Sequence, residues 1–297
     1  MRHTLVMNES SAFVRRIYVE GLFGQMHLRI AEPSKPSARP LVCIHVSPLS
    51  GVVYERFLAD IGKDRIAVAP DTPGYGMSDG PVEAPNIETY AAAMKQLLDE
   101  MDFVEADLIG YGTGSKIAFQ TALDNPDRIK HLILISAPDY SAEETEHMRS
   151  TLGRIIEPVA NGSHLITNWQ QVSGFPTNEL RMRVFPDHIR AGARKPWGPR
   201  AAFAYRYRDR LEDLKTPLLV VNINNEITEP TRRFSEVLKA DQYIEKLEWR
   251  HGFLHESPTE FASMIRAFVD KGVGMALLAM SKSGFNIRLK QGEFKGY

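Results

Sequence analysis

The sequence has little that would tie the chain to a membrane, to nucleic acid or to an oxidising compartment. It has one cysteine, Cys43, in 297 residues, which excludes an intrachain disulfide. Cys43 lies in the apolar run Leu41 to Val46, where an inert buried thiol is expected. No run of about 18 uninterrupted apolar residues occurs, and the first residues lack an apolar stretch of signal-peptide length. These absences predict a cytoplasmic protein without a membrane segment.

The charge is nearly balanced, and no motif indicates a metal or a cofactor. The 36 Lys and Arg residues face 37 Asp and Glu residues, which gives a formal net charge of -1. Such a chain has no overall attraction to nucleic acid or to anionic lipid. We therefore expect a small-molecule substrate, with no nucleic-acid partner.

Short apolar runs alternate with helical patterns along most of the chain. Residues 14–20 and 25–31 flank two glycines and predict an antiparallel hairpin. Mainly apolar runs, typical of parallel strands covered on both faces, occupy residues 41–46, 66–69, 107–110, 129–136 and 217–223, and a further strand is predicted over 243–249. Helical patterns occupy residues 53–62, 87–101, 113–123, 142–157, 230–239 and 258–270. The alternation predicts an α/β protein with a mostly parallel eight-stranded sheet and helices on both faces.

The strand pattern stops between Pro138 and Leu211, a segment that contains Trp169, Trp197 and several prolines and glycines. We interpret residues 138–211 as an inserted helical cap, with residues 1–137 and 212–297 forming the core. Residues 180–210 hold nine Arg or Lys against two Asp. These cations are solvated or paired, or some of them contact an anionic group of a substrate. The tail, residues 271–297, packs on the surface or serves an oligomer such as a homodimer.

The stretch from Asp107 to Ala118 predicts a strand, a sharp turn and the start of a helix. It contains Gly110-Tyr-Gly-Thr-Gly114, which resembles the nucleophile elbow of the α/β-hydrolase family. In that family the central residue of the turn carries the nucleophile, and here it is Gly112. Small residues at 110 and 114 are expected because strand and helix approach closely there. Because Gly112 has no side chain, the fold and the chemistry have to be predicted separately.

Further segments resemble the same family in the same order, and together they cover roughly residues 14–270. They are His45-Val-Ser-Pro48, Asp71-Thr-Pro-Gly-Tyr-Gly-Met-Ser-Asp79, Asn222-Ile-Asn-Asn-Glu-Ile-Thr-Glu-Pro230 and Arg250-His-Gly-Phe-Leu-His-Glu-Ser-Pro258. The resemblance implies the α/β-hydrolase fold. It also implies that the loop 71–79 is mainly structural, with an aspartate that ties neighbouring loops together.

The resemblance implies an oxyanion site made of two backbone N–H groups. Ser47 and Thr113 occupy the corresponding positions, with Thr113 at the positive end of a helix dipole. Val46 stands where the family often has glycine, and Tyr111, next to the turn, is a candidate substrate-binding residue. His45 either belongs to the substrate site or stabilises its loop by a hydrogen bond, and we prefer the second interpretation.

The resemblance also places an acid and a histidine. Glu226 lies four residues before Pro230, and His251 precedes the last helix at the spacing of the family's histidine, although Arg250 replaces the usual glycine. The alternatives are a surface glutamate and a structural histidine. His255 is the weaker candidate for the histidine.

Without a side chain at Gly112, an acyl-enzyme on a serine is excluded at this position. The space above the turn is then expected to hold a water or a substrate group. A His251–Glu226 pair could still act on water or on a carbonyl compound by acid–base chemistry. We therefore predict a hydrolase or a C–C cleaving, lyase-type enzyme for a small carbonyl or ester-type substrate. The alternatives are a ligand-binding, receptor-like homologue and an active hydrolase in which Gly112 replaced the nucleophile.

Overall fold

The computed structural model describes residues 12–152 and 155–271. Its strands form one eight-stranded sheet in the order β1-β2-β4-β3-β5-β6-β7-β8. The strands are β1 (Val14–Gly21), β2 (Gly24–Ala31), β3 (Leu41–Ile44), β4 (Ala67–Pro70), β5 (Ala106–Tyr111), β6 (Ile129–Ile135), β7 (Leu218–Ile223) and β8 (Tyr243–Lys246). The pairings β1–β2 and β2–β4 are antiparallel, and the other five are parallel. The predicted hairpin and the mostly parallel eight-stranded sheet are confirmed.

Helices cover both faces of the sheet. They are α1 (Glu55–Ile61), α2 (Ile87–Glu100), α3 (Thr113–Asp124), α4 (Ala142–Leu152), α5 (Ser163–Gln170), α6 (Asn178–Arg190), α7 (Trp197–Ala204), α8 (Thr228–Arg232), α9 (Phe234–Val237), α10 (Phe253–Glu256) and α11 (Pro258–Lys271). Helices α2 and α3 pack on one face, and α1 and α11 on the other. Because the central strands are apolar throughout, each of them contributes side chains to both cores. The thiol of Cys43 is fully buried, as predicted, and burial raises its pKa.

Two helix predictions and one strand prediction need correction, and one helix was not predicted. The helix predicted over 142–157 is shorter, because residues 155–159 have no regular structure. The helix predicted over 230–239 is two short helices, α8 and α9, which begin two residues earlier. The short helix α10 was not predicted, and the strand predicted over 243–249 ends at Lys246. The tail beyond Lys271, for which surface packing or an oligomer role was predicted, lies outside the described residues.

Four helices, α4 to α7, lie between β6 and β7 in the inserted segment, residues 138–211. Two core side chains hold α7. The Tyr75 hydroxyl accepts a hydrogen bond from the Gly198 N–H at 2.7 Å and donates to the Arg194 carbonyl at 3.1 Å. The Lys116 Nζ donates to the carbonyls of Ala202 (2.7 Å) and Tyr205 (2.8 Å). The carboxyl end of α7 is therefore attached to α3 in the core.

Within the described residues, every helix is too short or too polar to cross a membrane.

Candidate active site

The turn between β5 and α3 has a backbone that only a glycine adopts without strain. Gly112 has φ +56° and ψ -114°, a region that residues with a side chain rarely occupy. A Cβ on Gly110 would lie 2.6 Å from the Ser115 Cα, and one on Gly114 would lie 2.6 Å from the His45 carbonyl oxygen. Strand and helix therefore approach as closely as the resemblance implied, and both glycines are required by contact.

The space above Gly112 is filled by a valine. A Cβ built on Gly112 would lie 2.7 Å from the Val46 Cγ2 and 3.2 Å from the Val46 Cβ. The expectation that this space would hold a water or a substrate group is therefore wrong. Valine at 46 and glycine at 112, both departures from the family pattern, are therefore neighbours, and each accommodates the other.

His251 and Glu226 are brought together at the carboxyl ends of neighbouring strands. Glu226 follows β7 and His251 follows β8, so their loops meet at the same edge of the sheet. The His251 Nε2 lies 2.8 Å from the Glu226 Oε2. The other ring nitrogen, Nδ1, lies 2.7 Å from the hydroxyl oxygen of Tyr111, the residue next to the turn. His251 thus connects the candidate acid to the elbow.

The hydrogen bonds define the resting protonation of this group. A carboxylate can only accept, so the His251 Nε2 carries the proton that faces Glu226, and the neutral ring then accepts the Tyr111 O–H at Nδ1. Partial desolvation opposes ionisation of Glu226, but the hydrogen bond from His251 keeps its pKa below the ordinary value. Burial raises the pKa of Tyr111, and the nearby Glu226 raises it further, so the phenol stays protonated. The Glu226 side chain is 62% exposed, whereas Tyr111 is only 3% exposed.

His251 and Glu226 line a cavity of about 470 Å³. Its core wall includes the loop Val46 to Leu49, and its opposite wall comes from the inserted segment, which contributes Gly174, Phe175, His188 and Lys195. The Phe175 ring lies 5.5 Å from the His251 ring, centroid to centroid. The volume suits a small organic ligand. Gly112 is absent from the lining, because Val46 lies between it and this space.

The remaining predicted site residues are divided between the cavity and the protein interior. Ser47 lines the cavity, whereas Thr113 and Tyr111 do not. The predicted oxyanion site needs the N–H groups of Ser47 and Thr113 to face the same space. Its function stays a prediction. His45 is fully buried, and its Nε2 accepts the Thr72 N–H at 2.9 Å while Nδ1 lies 3.0 Å from the Val46 carbonyl. This geometry favours the loop-stabilising interpretation of His45 over a substrate-binding one.

The loop 71–79 has the structural function that was predicted. The buried Asp71 carboxylate accepts the N–H groups of Gly51 and Met77, each at 2.9 Å, and the His27 Nδ1–H at 2.8 Å. Burial opposes its ionisation, but the His27 hydrogen bond keeps its pKa below the ordinary value. Asp71 therefore ties its own loop to strand β2 and to the segment that begins at Gly51.

Most cations of the basic stretch prove to be paired. Arg183 contacts Glu55 at 2.7 Å, Arg190 contacts Asp187 at 3.2 Å and Arg208 contacts Asp139 at 3.0 Å. Further pairs are Arg206 with Asp209 and Arg210 with Asp213. Lys195, which lies on the cavity wall, bonds only to amide oxygens among the contacts described.

Sequence reasoning missed three features of the site: the contact of Val46 with Gly112, the hydrogen bond of Tyr111 with His251, and the participation of His188. The basic composition of residues 180–210 pointed to Lys195 without distinguishing it from its neighbours. In residues 12–152 and 155–271 no group of three His, Cys, Asp or Glu side chains is placed to hold a metal ion.

Comparison with known proteins agrees with the fold. The sequence profile of the α/β-hydrolase fold family matches residues 39–155. The chain has the α/β-hydrolase fold, and the proteins that match part of its sequence include several hydrolases.

One relative is the 2-hydroxymuconate semialdehyde hydrolase of Pseudomonas sp. (strain CF600), 29% identical over 118 residues. That match covers 38% of this chain and 42% of the relative, so less than half of the relative's length is matched. Among solved structures, the enol-lactonase of Burkholderia xenovorans LB400 superposes with a TM-score of 0.70 at 18% identity, covering 86% of this chain and all of the lactonase. A thermophilic esterase of Thermogutta terrifontis superposes with a TM-score of 0.68 at 21% identity, covering 86% of this chain and 98% of the esterase.

Proposed function

We propose that the chain is a hydrolytic or C–C cleaving enzyme for a small carbonyl or ester-type substrate, and that it works by acid–base chemistry of His251 without a side-chain nucleophile. The observation that carries the proposal is the position of His251, which is hydrogen-bonded to Glu226 and Tyr111 at the wall of the cavity. The hydrolase names of the semialdehyde hydrolase, esterase and lactonase relatives support the reaction class.

The two partners of His251 have different roles in this mechanism. Tyr111 is buried and holds Nδ1, whereas Glu226 is exposed and lines the cavity beside Nε2. In the tautomer that donates Nδ1–H to the Tyr111 oxygen, Nε2 is basic. The Glu226 carboxylate, which lies 2.8 Å from Nε2 in the structure, then turns away and a water takes its place beside Nε2. The water oxygen attacks the substrate carbonyl as its proton passes to Nε2. The carboxylate of Glu226 stabilises the resulting imidazolium, which then returns the proton to the leaving group.

Ser47 is the core residue best placed to meet the developing oxyanion, because it lines the same cavity as His251. Thr113 lies behind Val46 and Gly112, at the start of α3. We therefore assign oxyanion stabilisation chiefly to Ser47, and we expect Thr113 to contribute through the helix dipole.

The contact between Val46 and Gly112 supports glycine as the resident residue of the turn. A serine there would place its Cβ 2.7 Å from a valine methyl group, so an otherwise unaltered serine hydrolase would need a different residue at 46. The same contact, together with the engagement of both His251 nitrogens by protein groups, favours a second candidate function. In that function the cavity binds a ligand without turnover.

An activity panel tests the proposal. Aryl esters, a lactone and a β-diketone are offered to the unaltered chain, to His251→Ala and to Glu226→Gln. General-base catalysis contributes on the order of 10²–10⁴-fold, so His251→Ala should lose at least about 100-fold in turnover. The matched control is His255→Ala, since the His255 side chain is also largely buried but does not line the cavity. It should keep turnover within about threefold.

Three results would contradict the mechanism. Equal turnover in His251→Ala would show that another group is the base. Turnover that appears only in the double variant Val46→Gly/Gly112→Ser would indicate a scaffold that needs a nucleophile. Saturable binding with no turnover in any form would favour the ligand-binding function.

A further inference from the structure

The cavity wall opposite His251 contains a second group of polar side chains, which the proposed chemistry does not use. His188, from α6, and Lys195, from the turn before α7, both line the cavity. They are close enough for the Lys195 charge to lower the pKa of His188. Both belong to the inserted segment, whereas His251 and Glu226 belong to the core.

Lys195 presents an ammonium group that has neutral partners. Its Nζ donates to the Asn168 Oδ1 at 2.9 Å and to the Gln171 Oε1. An ammonium has three N–H donors, so one remains for a ligand in the cavity. The ion pairs of the described residues include none for Lys195, although they pair most cations around it. Burial lowers its pKa to about 8, so it is still mainly charged at neutral pH.

His188 is a buried polar group with an unmet hydrogen-bonding nitrogen. It is 8% exposed, and among the described residues its Nδ1 has no hydrogen-bond partner. An unsatisfied buried polar atom is unfavourable, so a hydrogen-bond partner brought in by a ligand would stabilise the complex. Burial, and then the charge of Lys195, lowers its pKa to about 3. His188 is therefore neutral and offers a hydrogen bond but no charge.

We propose that Lys195 and His188 form a carboxylate-binding subsite, so that the ligand of this cavity is a small carbonyl or ester-type compound that carries a carboxylate. One N–H from each side chain would be donated to the two carboxylate oxygens. A single cation beside a neutral imidazole matches a monoanion, whereas a phosphate dianion would leave a negative charge unbalanced. The claim that the carboxylate belongs to a substrate rests on the proposed function. The claim that the cavity binds a carboxylate does not.

Calorimetric titration at about pH 7 tests the subsite with two ligands of equal shape. The carboxylate probe is 2-oxopentanoate, and 2-oxopentanamide is its neutral counterpart. Charge-assisted hydrogen bonds contribute enough that Lys195→Met and Lys195→Gln should each weaken carboxylate binding at least about tenfold. Amide binding should change less than about twofold in the same variants. Lys215→Met is the matched control, because Lys215 is exposed and lies outside the cavity lining; it should bind both probes as the unaltered chain does.

The titrations are repeated with His251→Ala, which removes the proposed base and leaves the subsite intact. Carboxylate binding that depends on Lys195 in that variant supports the subsite even if the chain turns over no substrate. Melting temperatures establish that each variant is folded. A carboxylate that binds no better than the amide, or that binds Lys195→Met and Lys195→Gln as tightly as the unaltered chain, overturns the inference. Inorganic phosphate that binds through Lys195 more tightly than 2-oxopentanoate also overturns it.

Discussion

The contact between Val46 and Gly112 allows a quantitative prediction about the elbow. Gly112→Ala adds one Cβ at a position with φ +56°, 2.7 Å from the Val46 Cγ2. A left-handed backbone costs a residue with a side chain about 1–2 kcal/mol. Overpacking adds about 1–3 kcal/mol, because the valine methyl group must move. We therefore expect Gly112→Ala to lower the free energy of unfolding by about 2–5 kcal/mol in total.

A second glycine separates the two contributions. Gly192 also has a left-handed backbone, with φ +49°, and a Cβ on it would meet no atom within 4 Å. Gly192→Ala should therefore show the backbone cost alone, about 1–2 kcal/mol. Val46→Gly removes the obstructing side chain, so combining it with Gly112→Ala should recover about 1–3 kcal/mol relative to the sum of the single substitutions. Val46→Gly combined with Gly192→Ala should be additive.

Urea unfolding followed by tryptophan fluorescence measures these free energies. Substitutions that do not interact add within about 0.3–0.5 kcal/mol. Additive effects of Val46→Gly and Gly112→Ala would refute the argument that the two residues fill one space. Equal losses for Gly112→Ala and Gly192→Ala would refute it as well, since the contact would then contribute nothing.

Two further predictions concern Tyr111 and Lys116. Tyr111→Phe removes the hydroxyl that is hydrogen-bonded to the His251 Nδ1, so turnover should fall about tenfold with little change in KM. An unchanged kcat would contradict the positioning role of Tyr111. Burial lowers the pKa of Lys116, which is 2% exposed, from 10.5 to about 7. At pH values between these two pKa values, the unfolded chain therefore binds one more proton than the folded chain. Because burial disfavours the charged form of Lys116, the free energy of unfolding should rise with pH across this window, by about 1.4 kcal/mol per pH unit, and should level off below about 7. Urea unfolding of the unaltered chain and Lys116→Met at several pH values measures the difference, and a difference independent of pH would contradict the prediction.

The elements that the sequence predicted well are those specified by local pattern. The eight strands follow from short apolar runs, and the hairpin follows from alternation around Gly21 and Gly24. The helix start at Asn86 also follows from local chemistry, because the Asn86 side chain accepts the Thr89 N–H at 2.8 Å. The close approach of strand and helix was predictable from Gly110 and Gly114, because only small residues fit such a turn.

The features that were missed depend on contacts between distant parts of the chain. Val46 and Gly112 follow different strands, and nothing in either local pattern indicates that one side chain fills the space left by the other. The bond between Tyr111 and His251 joins residues 140 positions apart. The position of Glu226 near His251 was predicted from the family resemblance, because the loops after β7 and β8 meet in that fold. Lys195 could be distinguished from the neighbouring cations only in the structure, which shows the carboxylate partners of those cations.

The attachment of α7 to the core has a consequence for how a ligand reaches the cavity. Tyr75 binds the backbone at Arg194 and Gly198, on either side of Lys195, and Lys116 binds the other end of the same helix. Lys195 therefore stays with the sheet if the rest of the inserted segment swings away. An opening motion would have to hinge before α7 and displace Gly174 and Phe175, which cover His251. Such a motion would also carry away Asn168 and Gln171, so the Lys195 ammonium would change its hydrogen-bond partners whenever the cavity opened.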